Sequence, residues 1–283
     1  MAILPETTMR EAGMTESGGL IRSDALPSVL EHMEDLKKRL RNKRPVVFID
    51  YDGTLTPIVD RPERAELPAE TRRVLRVLSD KCPVAIVSGR DLADVRNRVA
   101  VEKIHYAGSH GFEIAGPDGQ IELQQGRDCL PSLDQAEKAL RQGLASIPCC
   151  QIERKRFAIA VHFRRAAADQ FAGIAAVVNE VAAGYRDLRR TGGKMILELR
   201  PAADWDKGRA LQWILRQWQL GGKDVLPLYL GDDLTDEDAF RCLRRTGVAI
   251  LVRDEVRPTA AHYAVENPDE VQRFLQELAV LLP

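Results

Sequence analysis

The sequence predicts an α/β fold, a doubly wound parallel-sheet (Rossmann-like) core carrying an inserted smaller α/β cap domain. Three observations lead there. The short apolar runs VVFI (46–49), PVAIVS (83–88) and PLYL (227–230) read as strands. They alternate with helical segments such as AETRRVLRVLSD, GRALQWILRQWQL and DEDAFRCLRRTG, the pattern of a parallel sheet covered on both faces. Between about residues 115 and 199 that rhythm gives way to period-two alternation mixed with helices, which reads as an insert.

Taken in order, residues 1–22 have no apolar periodicity and read as a loose tail. Over 23–44, Leu26, Val29, Leu30, Met33, Leu36 and Leu40 recur at helical spacing, and the segment ends in KKRLRNKR, which suits the negative end of a helix dipole. The core is expected over 45–114 and 200–283. The insert, 115–199, opens with a Gly-Pro-Asp-Gly turn at 116–119, then a short strand and a helix near 132–146. The alternating run RFAIAVHFR follows, then a helix traced by Phe171, Ile174, Ala175, Val178 and Val181, and finally the alternating TGGKMILELR. It should form a small sheet with one helical face and one polar face, His162 and Arg164 sharing a side opposite Phe157, Ile159, Val161 and Phe163, and Lys194, Ile196 and Glu198 a side opposite Met195, Leu197 and Leu199.

The composition bounds the function. With 283 residues, 45% hydrophobic and 29% charged, the chain holds one large or two ordinary globular domains. A net charge of -1 with no long basic stripe gives no electrostatic reason to expect nucleic acid or an anionic membrane as partner, so a small molecule is the expected one. Nothing in the pattern specifies an oligomeric state, and a monomer would suffice. The five cysteines, with no C-x-x-C spacing, read as buried small apolar residues in a reducing cytoplasm rather than a disulfide frame or zinc site. No apolar run of about 18 residues marks a membrane span, and the N-terminus lacks a secretory pattern.

Ligands of parallel α/β sheets sit at the carboxyl ends of the strands, where the VVFI run delivers Asp50. Side-chain alternation turns Asp50 and Asp52 to one side and crowds two like charges. Alone, D-x-D-G is as well explained by a turn. Ser88 ends the second run, where its hydroxyl and the following amide can hold an oxyanion, although Ser88-Gly-Arg-Asp also fits a helix cap. Lys207 stands at the positive end of a helix, misplaced unless an anion is near or the side chain is simply solvated. In GDDLTDED (231–238), Thr235 with Asp238 can cap a helix, which leaves Asp232 and Asp233 at a strand end.

D-Y-D-G-T-L at 50–55, Ser88, Lys207 and G-D-D-x-T-D at 231–236, in that order, resemble the four motifs of haloacid-dehalogenase-like phosphatases. The resemblance implies an Mg²⁺-dependent phosphomonoester hydrolase working through an aspartyl-phosphate. Asp50 is the implied nucleophile and Asp52 the general acid and base. Gly53, Thr54, Ser88, Gly89 and Lys207 would line the phosphate, and the Asp50 carboxylate, the Asp52 carbonyl and Asp232 would hold the metal, with Asp233 and Asp236 behind them. Further stretches narrow it: D-Y-D-G-T-L-T-P-I, G-S-H-G-F-E (108–113), H-F-R (162–164), G-K-x-x-L-E-x-R-P around 193–201 and W-D-K-G (205–208) are similar to the trehalose-6-phosphate phosphatase family. That likeness spans most of the chain after residue 40. It implies hydrolysis of trehalose 6-phosphate to trehalose and phosphate, with His110, Glu113, Arg164, Lys194 and Glu198 facing the sugar. The family more often has Tyr where Phe163 stands, and the first forty residues match no motif. His110 between its glycines is equally well read as structural, and the polar cap face as solvated. The alternatives are a phosphatase for sucrose 6-phosphate or a mannosyl phosphate, or an inactive sugar-phosphate-binding module.

Overall fold

A computed structural model describes residues 20–283 apart from 60 and 194. The chain enters as β1 (Ile21–Arg22), which pairs with a short strand late in the sequence, Pro258–Thr259. The expected tail therefore ends earlier than residue 22, and residues 1–19 lie outside the described ones. The helix expected over 23–44 is also shorter. Two single turns of 3₁₀ helix, Ser23–Ala25 and Leu30–His32, precede α1 (Met33–Leu40). Pro27 is the cause: a residue before proline is driven out of the helical region, and Leu26 has φ -69° and ψ 138°.

The core then builds as β2 (Arg44–Ile49), α2 (Ala69–Ser79), β3 (Val84–Val87), α3 (Leu92–Val99), β4 (His105–Gly108), β5 (Glu113–Ala115) and β6 (Ile121–Gln124). The cap follows with α4 (Leu130–Gly143), β7 (Gln151–Lys155), β8 (Ala158–His162), α5 (Phe171–Ala183), β9 (Leu188–Gly193) and β10 (Ile196–Pro201). The core resumes with α6 (Lys207–Gln217), β11 (Val225–Gly231), α7 (Glu237–Leu243), β12 (Val248–Val252), β13 (Pro258–Thr259), β14 (Tyr263–Val265) and α8 (Pro268–Leu281).

The core sheet has the order β14-β12-β11-β2-β3-β4-β5-β6, parallel from β14 to β4 and antiparallel beyond. Alternation along β2 divides the core. Val47 and Ile49 pack with Leu75 and Leu78 of α2, Val95 of α3 and Phe274 of α8, while Val46 and Phe48 pack with Leu211 and Ile214 of α6 and Phe240 of α7. This is the doubly wound sheet that the sequence implies.

The start of the insert also differs. The expected insert begins at residue 115, yet Ile121–Gln124 pairs with β5 and extends the core sheet. The Gly116–Gly119 turn folds β6 straight back onto its neighbour, closed by the Gly119 amide on the Gly116 carbonyl at 2.9 Å. The cap sheet, β7-β8-β10-β9, is antiparallel throughout and packs Ile159, Val161, Leu197 and Leu199 against Leu133 and Leu140 of α4 and Ile174 and Val178 of α5. The chain leaves and re-enters the core at adjacent points, since a Cβ on Gly126 would lie 3.0 Å from the Pro201 ring. All five cysteines are free. Only Cys82 is buried; Cys149, in the loop ahead of β7, is exposed, so the reading of the cysteines as core residues holds for Cys82 alone. Among the described residues no helix is long and apolar enough to cross a membrane.

Candidate active site

Three loops at the carboxyl ends of β2, β3 and β11 meet the first turn of α6. Asp50 follows β2 directly, its amide bonded to the Leu230 carbonyl at 2.9 Å, which ties it to the end of β11. Asp232 follows β11, and the Asp50, Asp232 and Asp236 carboxylates bring oxygens within 4.8 Å of one another, all three residues buried. Gly53 makes this approach sterically feasible. It has φ +80°, and a Cβ there would fall 2.1 Å from an Asp232 oxygen. The Thr54 hydroxyl donates to Asp232 Oδ1 at 3.3 Å.

Lys207 opens α6, whose cap is Asp206 accepting the Arg209 amide. Its ammonium, 2% exposed, lies 3.0 Å from Asp50 Oδ1 and 2.8 Å from Asp236 Oδ1. The anions that its place on a helix start calls for are therefore protein carboxylates. Burial alone would lower this lysine, but Asp236 and Asp50 outweigh it and raise it well above its ordinary value. One ammonium faces three buried carboxylates, so with all three ionised two negative charges would be uncompensated. Burial, against the pull of Lys207 and with Asp236 and Asp52 adding to it, pushes Asp50 up to about 8, and Asp232 is driven up by burial, Asp50 and Asp236. A hard divalent cation suits an all-oxygen set with this deficit.

This arrangement sets a pH dependence. Asp50 and Asp232 hold protons in the fold that an unfolded aspartate loses near pH 4, so the folded chain binds more protons over the intervening range. Their contribution to stability is complete below the unfolded value and declines as pH rises. Thermal melting in chelator is expected to show Tm falling from about pH 5 to about pH 8, with a shallower slope for Asp50→Asn. A rising Tm over that range would contradict the charge deficit.

Asp52 does not share the crowded cluster. β2 ends at Ile49, so strand alternation no longer governs residue 52, and both Asp52 oxygens accept from Arg90, Nε and Nη2 each at 2.7 Å. Arg90 also reaches Asp94 at 2.8 Å and the Pro62 carbonyl, and lies over the Tyr51 ring. Sequence reasoning gave Arg90 no role; its place in Ser-Gly-Arg, two residues past a strand end, was the available signal. Ser88 is fully buried, its Oγ accepting the Arg90 amide at 3.1 Å and its carbonyl accepting the His110 amide. The helix-cap reading of Ser88 fails because α3 starts only at Leu92, with Asp91 at the cap position. The Thr235–Asp238 cap is likewise replaced. Asp233 and Asp236 cap each other's backbone at Leu234–Asp236, and Asp238 pairs with Arg241.

Of the sugar-facing candidates, His110, Glu113 and Glu198 come together where the cap meets the core. His110 is buried, its Nε2 3.6 Å from Glu198 and its Nδ1 without a partner. Burial holds it below the ordinary histidine value, against Glu198. Its ring touches the loop that follows β3, since a Cβ at Gly89 would lie 2.8 Å from it. Glu198 pairs with Lys155 at 3.0 Å, and Lys155 and His110 hold its carboxyl well below the usual range although burial alone would raise it. Glu113 pairs with Arg156 at 2.9 Å, and the Arg156 amide donates to both oxygens of Asp91. Lys155 and Arg156 were absent from the sequence-based set. Arg164 is not on the polar strand face, because β8 ends at His162 and the chain turns with the Ala166 amide on the Phe163 carbonyl; it is exposed. Lys194 lies outside the described residues.

Residues 48–269 match the family described as Trehalose-phosphatase. The chain is 49% identical over 242 residues to a trehalose-phosphate phosphatase of Mycobacterium marinum, covering 83% of this chain but 62% of that protein. It is 39% identical over 290 residues to a probable trehalose-phosphate phosphatase of Arabidopsis thaliana, covering 96% of this chain and 83% of that protein. In fold it is similar to the C-terminal domain of the Candida albicans trehalose-6-phosphate phosphatase, with TM-score 0.78 and 24% identity over 91% of this chain and 99% of that one.

Proposed function

The chain belongs to the trehalose-phosphatase family, and from that premise we propose that it hydrolyses trehalose 6-phosphate to trehalose and phosphate with Mg²⁺. The observation that carries this reading is the buried Asp50–Asp232–Asp236 cluster with a single ammonium at the strand ends, roofed by a cap whose polar face presents Glu198, Lys155 and His162. Asp50 and Asp232, with the Asp52 backbone carbonyl, would hold the cation, which supplies charge neutralisation at the phosphate oxygens when bound.

Asp50 is the nucleophile in this reading. One carboxylate oxygen forms a bond to phosphorus as the bond from phosphorus to the sugar oxygen breaks, giving an aspartyl-phosphate. Lys207, the Ser88 hydroxyl and the amides of the 52–54 and 88–89 loops balance charge on the phosphoryl oxygens. Asp52 gives a proton to the departing alkoxide and then takes one from the water that attacks the aspartyl-phosphate, which releases phosphate and restores Asp50. Both Asp52 oxygens accept from Arg90, so proton donation requires at least one of those bonds to open. The sugar hydroxyls would be read by His110, Glu113 and Glu198, with Lys194 and Arg164 as further candidates.

Phosphate release measured on trehalose 6-phosphate, sucrose 6-phosphate, a mannosyl phosphate and glucose 6-phosphate, with Mg²⁺ and with chelator, tests this. Turnover of trehalose 6-phosphate above the others, lost in chelator, is expected. Preference for another sugar phosphate would move the substrate assignment, and no turnover of any would leave a sugar-phosphate-binding module.

A further inference from the structure

The Asp232 peptide is gripped from both sides. Its amide and that of Asp233 donate to Asp236 Oδ2 at 3.2 and 3.0 Å, and its carbonyl accepts from Arg257 Nη2 at 2.5 Å. With both ends of the peptide fixed, the direction of the Cα–Cβ bond is set, and from it the side chain reaches Asp50 and Thr54. Arg257 brings a positive charge close to a cation site, yet that charge is offset where it sits: Nη1 pairs with Asp254 at 2.8 Å, and buried Glu237 lies 4.0 Å from Nε. The guanidinium orients the carbonyl without opposing a bound cation.

Arg257 stands on a loop that β1 and Ser23 fasten. Ser23, 2% exposed, accepts the Arg257 amide on Oγ at 3.1 Å, donates Oγ to the Glu255 carbonyl at 3.0 Å, and gives its own amide to the Arg257 carbonyl at 2.8 Å. Arg253 returns from the same loop to the carbonyls of Ser23 and Leu26. Ile21 and Arg22 complete the seam by pairing with Thr259 and Pro258. These N-terminal residues precede the stretch matched to the family, 48–269, and the reaction scheme gives them no task.

We propose that Arg257 is a positioning residue for the Asp232 carboxylate and that the Ser23 strap holds Arg257 in register, so that a segment ahead of the family's matched region tunes divalent-cation affinity. The proposal rests on the cation reading of the same site. A carbonyl clamp on the residue that carries a metal-binding carboxylate acts as outer partners of metal ligands do, by fixing the ligand's orientation before the ion arrives.

The test is calorimetric titration of Mg²⁺ into the full chain without substrate, for wild type, Arg257→Ala, Arg257→Lys, Ser23→Ala and Arg22→Ala, with chelator melts alongside. Arg257→Ala is expected to weaken Mg²⁺ binding about tenfold or more, Arg257→Lys to recover part of it, and Ser23→Ala to weaken it about threefold through loss of the strap bonds. Arg22→Ala, whose side chain among the described residues pairs with exposed Asp24, should bind as wild type does. The KM for trehalose 6-phosphate at saturating Mg²⁺ should stay near wild type in all of them. Should Arg257→Ala not fold, Arg257→Lys and Ser23→Ala carry the comparison. Wild-type affinity in folded Arg257 and Ser23 variants overturns the proposal alone, as does a lowered Tm with no change in Mg²⁺ affinity. No Mg²⁺ binding by the wild-type chain overturns the cation reading and this proposal with it.

Discussion

Asp50→Asn is expected to lower phosphate release from trehalose 6-phosphate by about 10⁴-fold or more while the chain stays folded. An amide oxygen in the same place is too poor a nucleophile to form the acyl-phosphate, and nothing else at the carboxyl end of β2 can replace it: Asp52 is turned into the Arg90 fork, and Asp236 has an Oδ1 bonded to both Lys207 and Tyr229. The fold should survive because the change removes one of three crowded carboxylates and leaves Lys207 its contact with Asp236. Single-turnover phosphate release, paired with melting in chelator, checks both halves. Turnover close to wild type would sink the nucleophile assignment, whereas a collapsed Tm would mean that the Asp50–Lys207 pair matters more than the repulsion it sits in.

Asp236→Ala carries the largest expected loss of stability, about 3–5 kcal/mol. One carboxylate accepts from Lys207 Nζ at 2.8 Å, Tyr229 Oη at 2.7 Å and the amides of Asp232 and Asp233. Truncation orphans the tyrosine hydroxyl and the Asp232 amide in a buried setting, frees the half-buried Asp233 amide, and leaves the lysine with Asp50 alone. Relief of repulsion with Asp50 and Asp232 works the other way, but it is two like-charge contacts against four lost donors, one of them cationic. Urea unfolding in chelator near neutral pH gives the number. A stability equal to wild type would show the repulsion to be the larger quantity. Asp236→Asn should fall between, since its oxygen can still accept from Lys207 and Tyr229 while its NH₂ faces the two amides.

Those two residues also mark what the sequence revealed. Asp50 was legible because a strand end is a local signal and topology alone says that strand ends carry ligands. From local pattern Asp236 was one acid among five in eight residues, where acids at a helix start are favoured whatever else they do, and the resemblance placed it only behind the metal ligands; its four bonds come from residues 207, 229, 232 and 233, and no local pattern joins all of them. The Arg90 fork was hidden for the same reason, its partner lying 38 positions away. Alternation foretold the polar and apolar faces of the cap sheet but not where β8 stops, so Arg164 was placed on a face that the chain has already left. It could not say which sheet β6 joins either, because a short strand with one wet face looks alike in both. The early helix was read through Pro27 on the strength of periodicity, although the proline was itself the stronger signal.

The neighbouring exits of the cap, with Gly126 against Pro201, have a consequence for folding order. To the core, everything between those points is a loop with its ends already together, and closing a loop grows dearer only slowly, by about 0.6 kcal/mol for each doubling of length. The core sheet therefore closes nearly as readily around an unfolded cap as around a folded one. The cap has a separate apolar nucleus in Leu133, Leu140, Ile159, Val161, Ile174 and Val178, and can melt and re-form while β2 and β11 stay paired. The roof over the chemistry and the floor beneath it keep separate apolar nuclei, held together by the paired exits and by the His110–Glu198 and Glu113–Arg156 contacts.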